Sequence, residues 1–369
     1  MKVLHIITRM NTGGPAVFLD HLTNAMNDLG AQSTIAYGFC ESNETDYTEN
    51  NLIQAELIKI KALHRTLNLL DDVKAFIQIR KIIKAVKPDV INTHTSKAGV
   101  LGRIAAKTTS LEIKVVHTYL GHLIYGYFNR PKIWVFMLIE KIMSKFTSAA
   151  IAVTAETKQS LISKGVGRKL NWEIIQIGIP VTKPDKNDLS PSSKLKILWV
   201  GRFTDIKDPG FAVETMRELS QRIPNNFELI MVGGGELFEE IVKLAANLPI
   251  RFVGVLKEPF KMIQNFDLLM MTSKNEGLPL VILEAANCLR ATVSTNVGGI
   301  SEFIENGSTG YLVPRNTKLM AEKIILLASD KERLRNSGIN ARHLLEKSFS
   351  DKQMASLHFN LYSSLVVRV

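Results

Sequence analysis

Val3-Leu4-His5-Ile6-Ile7-Thr8, followed by Arg9-Met10-Asn11-Thr12-Gly13-Gly14-Pro15, opens the chain with a β-branched strand, a glycine loop and the start of a helix. Ala16–Leu29 then has helical periodicity, Thr34–Phe39 is strand-like again, and Asp89–Thr93 followed by Ala98–Lys107 repeats the alternation. Short apolar strands alternating with amphipathic helices indicate parallel sheets covered by helices. The alternation breaks after Gly178-Ile179-Pro180, where residues 183–194 are rich in Pro, Ser and charge and read as a linker. A second series begins at Lys196–Gly201 and continues through Phe227–Val232, Ile250–Val253, Leu268–Thr272 and Ala291–Thr295. The expected architecture is α/β, with two Rossmann-like doubly wound domains: residues 1–182, then the linker 183–194, then residues 195–350. A C-terminal helix over 351–369 has the option of returning to the first domain. Ligands are expected at the carboxyl ends of the strands, where the two domains face each other across a cleft.

Composition narrows the class. The 369 residues are 46% hydrophobic and 22% charged, which excludes disorder and leaves room for two cores. Lys and Arg outnumber Asp and Glu by 46 to 35, a net charge of +11 that implies an anionic partner. Cys40 and Cys288 are too few and too distant for a disulfide framework or a cysteine metal cluster, so a reducing compartment is expected. The apolar run Ile133–Ile139 ends at Glu140, well short of the ~20 residues of a spanning helix. The N-terminus reads as a strand and not as a signal peptide. The expectation is a cytoplasmic protein, soluble or bound at the inner face of the plasma membrane without crossing it.

The loops that follow the strands carry the chemistry. Gly13 and Gly14 let the backbone approach an anion at a helix start; the alternative is a tight turn that needs positive φ. The loop is neither Gly-x-Gly-x-x-Gly nor a Walker sequence, so dinucleotide and P-loop readings lose support. In the second domain, Val200-Gly201-Arg202-Phe203-Thr204-Asp205-Ile206-Lys207 sets an Arg and a Lys five apart on a strand-to-helix loop. Such a pair can converge on a diphosphate, or the two cations can simply be solvated. Gly233-Gly234-Gly235 is again a strand end, either a plain turn or a place where a bulky ligand comes close.

Ser273-Lys274-Asn275-Glu276-Gly277-Leu278-Pro279-Leu280-Val281-Ile282-Leu283-Glu284-Ala285 is the sharpest constellation. Glu276 falls on a loop after a strand, Pro279 suits a first helical turn, and Glu284 lies within an otherwise apolar helix. Burying that carboxylate is costly without a partner, so a polar ligand or an internal hydrogen bond must satisfy it.

In this order and at this spacing the motifs resemble the retaining glycosyltransferases of family four, of GT-B fold, which include bacterial capsular, exopolysaccharide and lipopolysaccharide enzymes. The Val-Gly-Arg strand with its later Lys, the Gly-Gly-Gly loop, the Glu-x7-Glu pair, and Val297-Gly298-Gly299-Ile300-Ser301-Glu302 followed by Asn306-Gly307 carry the likeness in the second half. Gly13-Gly14-Pro15 and His94-Thr95-Ser96-Lys97-Ala98-Gly99 extend it to the first.

The resemblance implies a nucleoside-diphosphate-sugar donor, with UDP expected by analogy, and a glycan or lipid-linked acceptor. Arg202 and Lys207 would hold the diphosphate, with help from backbone N–H groups near Gly13 and Gly14. Glu284 would accept the ribose hydroxyls, and Glu276 would lie beside the donor sugar. Gly233, Gly234, Gly277 and Leu278 would complete the donor site. No Asp-x-Asp occurs in the chain, so neither a metal nor a cofactor is expected and the Arg–Lys pair must stabilise the leaving group. One departure concerns the His-Thr-x-His-Gly-His pattern of close relatives: here His117-Thr118-Tyr119-Leu120-Gly121-His122 puts Leu120 where the family has a histidine. Either His122 takes that role or the contact is missing. His94 is a cleft residue or a locally bonded strand-end histidine.

The positive charge is concentrated in the first half. Up to residue 185 there are 23 Lys and Arg against 15 Asp and Glu. The helix Val73–Val86 is expected to gather Phe76, Ile77, Ile79, Ile82 and Ile83 on one side and cations on the other. It reads as a dock for an anionic membrane or as a core-facing helix with a solvated basic face. Two alternatives to the transferase stand: a nucleotide-sugar 2-epimerase of the same architecture, and a nucleic-acid-binding protein. The second is supported only by charge, since the basic stretch lacks interleaved aromatics, and nucleic acid is not expected as a partner.

Overall fold

A computed structural model describes the chain except residues 43, 50, 122–129, 184–193, 225, 257–259 and 368–369, and the side chains of 130–132. It divides into two compact units, Met1–Pro180 with Ser350–Val369, and Val181–Phe349. Most of the linker read over 183–194 lies outside the described residues.

In the first unit β1 (Lys2–Ile7), β2 (Gln32–Tyr37), β3 (Glu56–Lys59), β4 (Val90–His94), β5 (Lys114–Tyr119), β6 (Ala149–Ala152) and β7 (Asn171–Ile174) form a parallel sheet in the order β3-β2-β1-β4-β5-β6-β7. Helices α1 (Gly14–Asp28), α2 (Leu69–Val86), α3 (Ser96–Lys107), α4 (Arg130–Met143) and α5 (Ala155–Ser163) connect them. β1 and β4 are buried along almost their whole length, as strands covered on both faces must be, and this explains their unbroken apolar reading.

In the second unit β8 (Leu195–Val200), β9 (Phe227–Val232), β10 (Ile250–Gly254), β11 (Leu268–Met271), β12 (Ala291–Thr295) and β13 (Gly310–Val313) are ordered β10-β9-β8-β11-β12-β13, again parallel. Its helices are α6 (Pro209–Arg222), α7 (Phe238–Leu244), α8 (Phe260–Ile263), α9 (Leu280–Asn287), α10 (Thr317–Ser329) and α11 (Lys331–Ser348). One core runs from Leu195 and Trp199 through Phe203, Met216 and Leu229 to Val293 and Ile324. Strand order reverses between β1 and β4 in one sheet and between β8 and β11 in the other. Such switch points leave a crevice at the strands' carboxyl ends.

The last helix, α12 (Asp351–Val366), packs on α1 and so belongs to the first unit. The hydroxyl of Ser350 caps it by accepting from Gln353 N at 3.2 Å. Its Tyr362 hydroxyl accepts a hydrogen bond from Asn92 Nδ2 at 2.6 Å. The approach of the chain to α12 requires Gly178, where a Cβ would stand 2.2 Å from the Ser350 carbonyl oxygen.

The basic helix is corrected in its facing. In α2 only Ala75, Ile79 and Ile83 are buried, with Phe76 and Ile82 packed at the core margin, while Ile77 is 46% exposed. Ile77 therefore leaves the apolar stripe expected for Val73–Val86. The stripe faces the core, and Lys74, Lys81 and Lys84 are exposed. Among the described residues no helix is long and apolar enough to cross a membrane.

Candidate active site

Two loops meet at the switch point of the second sheet: residues 201–208 after β8 and residues 272–279 after β11. The first is zipped to the glycine loop after β9, because Phe203 N donates to the Gly234 carbonyl at 2.9 Å and Leu237 N to the Phe203 carbonyl at 3.0 Å. Gly233 is required there. Its φ is +138° and a Cβ would lie 1.9 Å from the Gly201 carbonyl oxygen. Gly233 and Gly234 thus hold the Arg202 loop against its neighbour. Arg202 itself is exposed, and no described residue pairs with its guanidinium.

Lys207 and Glu276 are brought together. Lys207 Nζ forms an ion pair with Glu276 Oε1, which also accepts from the Ser273 hydroxyl at 2.6 Å. Both side chains are largely buried, so solvent screens this pair less than a surface one. Gly298, at φ +57°, makes the turn possible: a Cβ on it would fall 1.7 Å from the Glu276 carbonyl oxygen. The neighbouring Gly299 N donates to the Gly277 carbonyl at 3.0 Å, and Leu278 is buried beneath the loop.

Glu284 is the fifth residue of α9, which begins at Leu280 with Pro279 in an extended cap position and no side-chain cap. Pro279 therefore precedes the first helical turn that the sequence reading placed it in. An extended Pro279 still sets the helix entry, because proline has no N–H to leave unsatisfied. Burial pushes the Glu284 carboxyl up to about 7, and no described side chain donates to it. A half-buried carboxyl with a raised pKa and no side-chain partner among the described residues is an acceptor waiting for donors.

Three supporting residues carried no local signal in sequence. Thr272 accepts from Trp199 Nε1 at 2.9 Å and directs its own hydroxyl at the carbonyls of Lys207 and Asp208, at 3.0 and 2.9 Å. Arg315 reaches back to Asp208, donates to the Thr272 carbonyl at 3.2 Å, and stacks over Phe211. Asp208 has φ +47° and caps α6 by accepting from Phe211 N at 3.2 Å. Together they fix the backbone at Lys207 and Asp208.

In the first unit, Gly13 and Gly14 stand at the carboxyl end of β1 where α1 starts. Gly13 has φ 162°, an extended value any residue adopts, and a Cβ on Gly14 would meet nothing within 4 Å. The tight-turn reading of these glycines is thus removed: neither positive φ nor internal packing calls for them here. His94 is fully buried, and a hydrogen bond joins its Nε2 to His5 Nδ1 at 3.2 Å, the local bonding that the sequence offered as one of its two readings. His117 is likewise buried, 2.8 Å from the Thr93 hydroxyl. His122 lies outside the described residues.

Both halves of the chain match known protein families. A family model described as Glycosyltransferase Family 4 matches residues 12–182, and one described as Glycosyl transferases group 1 matches residues 194–330. The chain belongs to the family four glycosyltransferases. It is 25% identical over 340 residues to the Escherichia coli UDP-Gal:alpha-D-GlcNAc-diphosphoundecaprenol alpha-1,3-galactosyltransferase, covering 88% of this chain and 87% of that one. It is 24% identical over 320 residues to the Staphylococcus aureus capsular polysaccharide biosynthesis glycosyltransferase CapM, covering 80% and 82%. The GT-B fold is shown by Anabaena HepE, solved in complex with UDP, at a TM-score of 0.80 with 20% identity over 99% of this chain and 100% of that one. This glycosyltransferase is accordingly an enzyme with transferase relatives, and the 2-epimerase reading is not favoured.

Proposed function

We propose that this glycosyltransferase moves a sugar from a UDP-sugar to a glycan or lipid-linked acceptor of a surface polysaccharide, with retention at the anomeric carbon and without a metal. The observation that carries the reading is the set at the second switch point: an exposed Arg202 and a Glu284 on the helix that follows, neither with a side-chain partner among the described residues, and the Lys207–Glu276 pair between them in sequence.

Each group has a chemical task. Arg202 and Lys207 neutralise the charge that grows on the departing diphosphate; being held in place beforehand, they need no reorganisation in the transition state. Glu284 accepts the two ribose hydroxyls. Glu276 loses part of its pairing to Lys207 when phosphate arrives and turns its free oxygen to the donor sugar. In the first unit, the backbone N–H groups at Gly13 and Gly14 stand at the start of α1, where an anion is favoured. The acceptor hydroxyl approaches on the face from which the diphosphate leaves. The bond from the anomeric carbon to phosphate oxygen breaks as the bond to the acceptor oxygen forms, and the acceptor proton passes to the leaving phosphate oxygen. This route needs no protein nucleophile.

The undecaprenyl acceptor named for the Escherichia coli relative and the basic first unit favour work at an anionic membrane on the cytoplasmic side, with the excess positive charge meeting lipid phosphates and not nucleic acid. NMR of the product from a UDP-sugar with an α-anomeric linkage tests the chemistry. An α-linked product formed in EDTA is expected; a β-linked product or a strict metal requirement would overturn it.

A further inference from the structure

Helix α4 has two apolar faces. Its inner one is claimed: Met137 and Met143 are buried, and Glu140, the only acidic residue of the helix, is fully buried in an ion pair with Arg103 Nη2 at 2.8 Å. The Tyr119 hydroxyl donates to the same carboxylate at 2.7 Å, so the helix is pinned to β5 and α3 and cannot roll. Its outer face carries Trp134, Val135, Leu138, Ile139 and Ile142, all exposed, at the spacing of one continuous stripe. Lys141 and Lys145 are exposed at its C-terminal end. A helix that is apolar all round ordinarily lies in a core, so the outer stripe needs an occupant.

We propose that this stripe is the membrane-docking face of the protein, with α4 lying in the headgroup layer of an anionic bilayer, Trp134 and Leu138 inserted, and Lys141 and Lys145 on lipid phosphates. Charge decides the occupant. The outer face holds cations and no acid, and the unit that carries it has an excess of positive charge, so a second copy of the same face would set like charges together. An anionic bilayer offers both complements, hydrocarbon for the stripe and phosphate for the lysines. At 14 residues the helix is too short to span, which suits an interfacial position. The apolar residues at the start of α2, namely Leu69, Leu70 and Val73, are exposed as well. They belong to a helix that, like α4, packs against α3. The proposal draws on the lipid-linked acceptor only for the kind of partner; the stripe itself is independent of the reaction.

Tryptophan provides a specific reporter. Trp134 is 68% exposed, whereas Trp172 and Trp199 are 8% and 2% exposed. The full chain is mixed with vesicles of phosphatidylglycerol and phosphatidylcholine, or of phosphatidylcholine alone. A blue shift and quenching by bromine-labelled acyl chains are expected with the anionic vesicles only. Leu138→Gln/Ile142→Gln, which keeps the reporter and changes only exposed positions, is expected to lower partitioning at least tenfold with an unchanged melting temperature. Lys141→Glu/Lys145→Glu should lose the preference for anionic lipid. Wild-type emission that does not respond to vesicles, or a Leu138→Gln/Ile142→Gln variant that binds like wild type, would overturn the proposal. So would a concentration-dependent dimer that this variant abolishes in the absence of vesicle binding. UDP binding measured on the same samples separates the two accounts: its loss with vesicle binding intact contradicts the transferase reading alone, and the converse contradicts the docking face alone.

Discussion

Lys207 Nζ and Glu276 Oε1, 69 residues apart in sequence, meet in an ion pair at the carboxyl edge of the second sheet, with the Ser273 hydroxyl on the same carboxylate oxygen. The pair holds the lysine where a diphosphate can take it over. Lys207→Ala is expected to lower kcat by about 10²–10³, the cost of removing one preorganised charge stabiliser. Lys207→Arg should recover part of it. Steady-state kinetics with a UDP-sugar checks this, and an unchanged kcat would remove Lys207 from the leaving-group site.

Glu284 couples donor binding to pH. With its carboxyl at about 7 in the free protein, a fraction is protonated at neutral pH, and the ionised form is the stronger acceptor for the ribose hydroxyls. UDP affinity should therefore fall as pH drops below about 7, by up to tenfold per unit, and binding near pH 7 should release protons. Titration calorimetry in buffers of different ionisation enthalpy measures the release. Glu284→Gln should weaken UDP binding and flatten the pH dependence.

The same group has a stability consequence of opposite sense. Its folded pKa lies above the unfolded value of 4.5, so the folded state binds more protons between the two, and this contribution is lost as pH rises from 4.5 through 7. Glu284→Gln is expected to raise the melting temperature of the ligand-free protein at pH 8 while it reduces donor binding.

Four buried histidines in the first unit work against acid. Burial lowers His5 to about 3 and His358 to about 4, and holds His94 and His117 well below the ordinary 6.5. The unfolded chain therefore binds more protons below pH 6.5. Stability is full above that value and is lost as pH falls toward 3, at about 1.4 kcal/mol per pH unit for each histidine. Thermal melts between pH 7.5 and 5 should show this slope, and His358→Gln should reduce it.

Backbone geometry around Glu276 sets a further test. Gly298→Ala combines a positive φ with a Cβ placed 1.7 Å from the Glu276 carbonyl, so the loop must shift. Activity is expected to fall more than tenfold with a modest drop in melting temperature, and wild-type activity in this variant would argue against a tightly positioned Glu276.

What the sequence disclosed follows from how local each signal is. Strands such as Phe227–Val232 and Ala291–Thr295 coincide with those observed, since a fully buried parallel strand is written in consecutive residues. Glu284 stood out because a lone carboxylate among Val281, Ile282, Leu283 and Ala285 is an energetic anomaly visible in a single line of sequence. Thr272 and Arg315 had no such mark. Arg315 lies 107 residues from Asp208 and Thr272 lies 73 from Trp199, and a threonine or arginine at those places is unremarkable until the fold closes. The outward turn of Ile77 was hidden for a related reason: helical periodicity groups apolar residues, but the neighbouring elements decide which of them are covered.

The second switch point is expected to bind a nucleoside diphosphate through its cations and Glu284. Titration calorimetry of UDP into the wild-type protein and into Arg202→Ala, Lys207→Ala and Glu284→Gln decides it. Single-site binding that each substitution weakens at least tenfold, in proteins that melt as wild type does or higher, is the expected result. No UDP binding by the wild-type protein, or binding that all three substitutions leave unchanged, would contradict it.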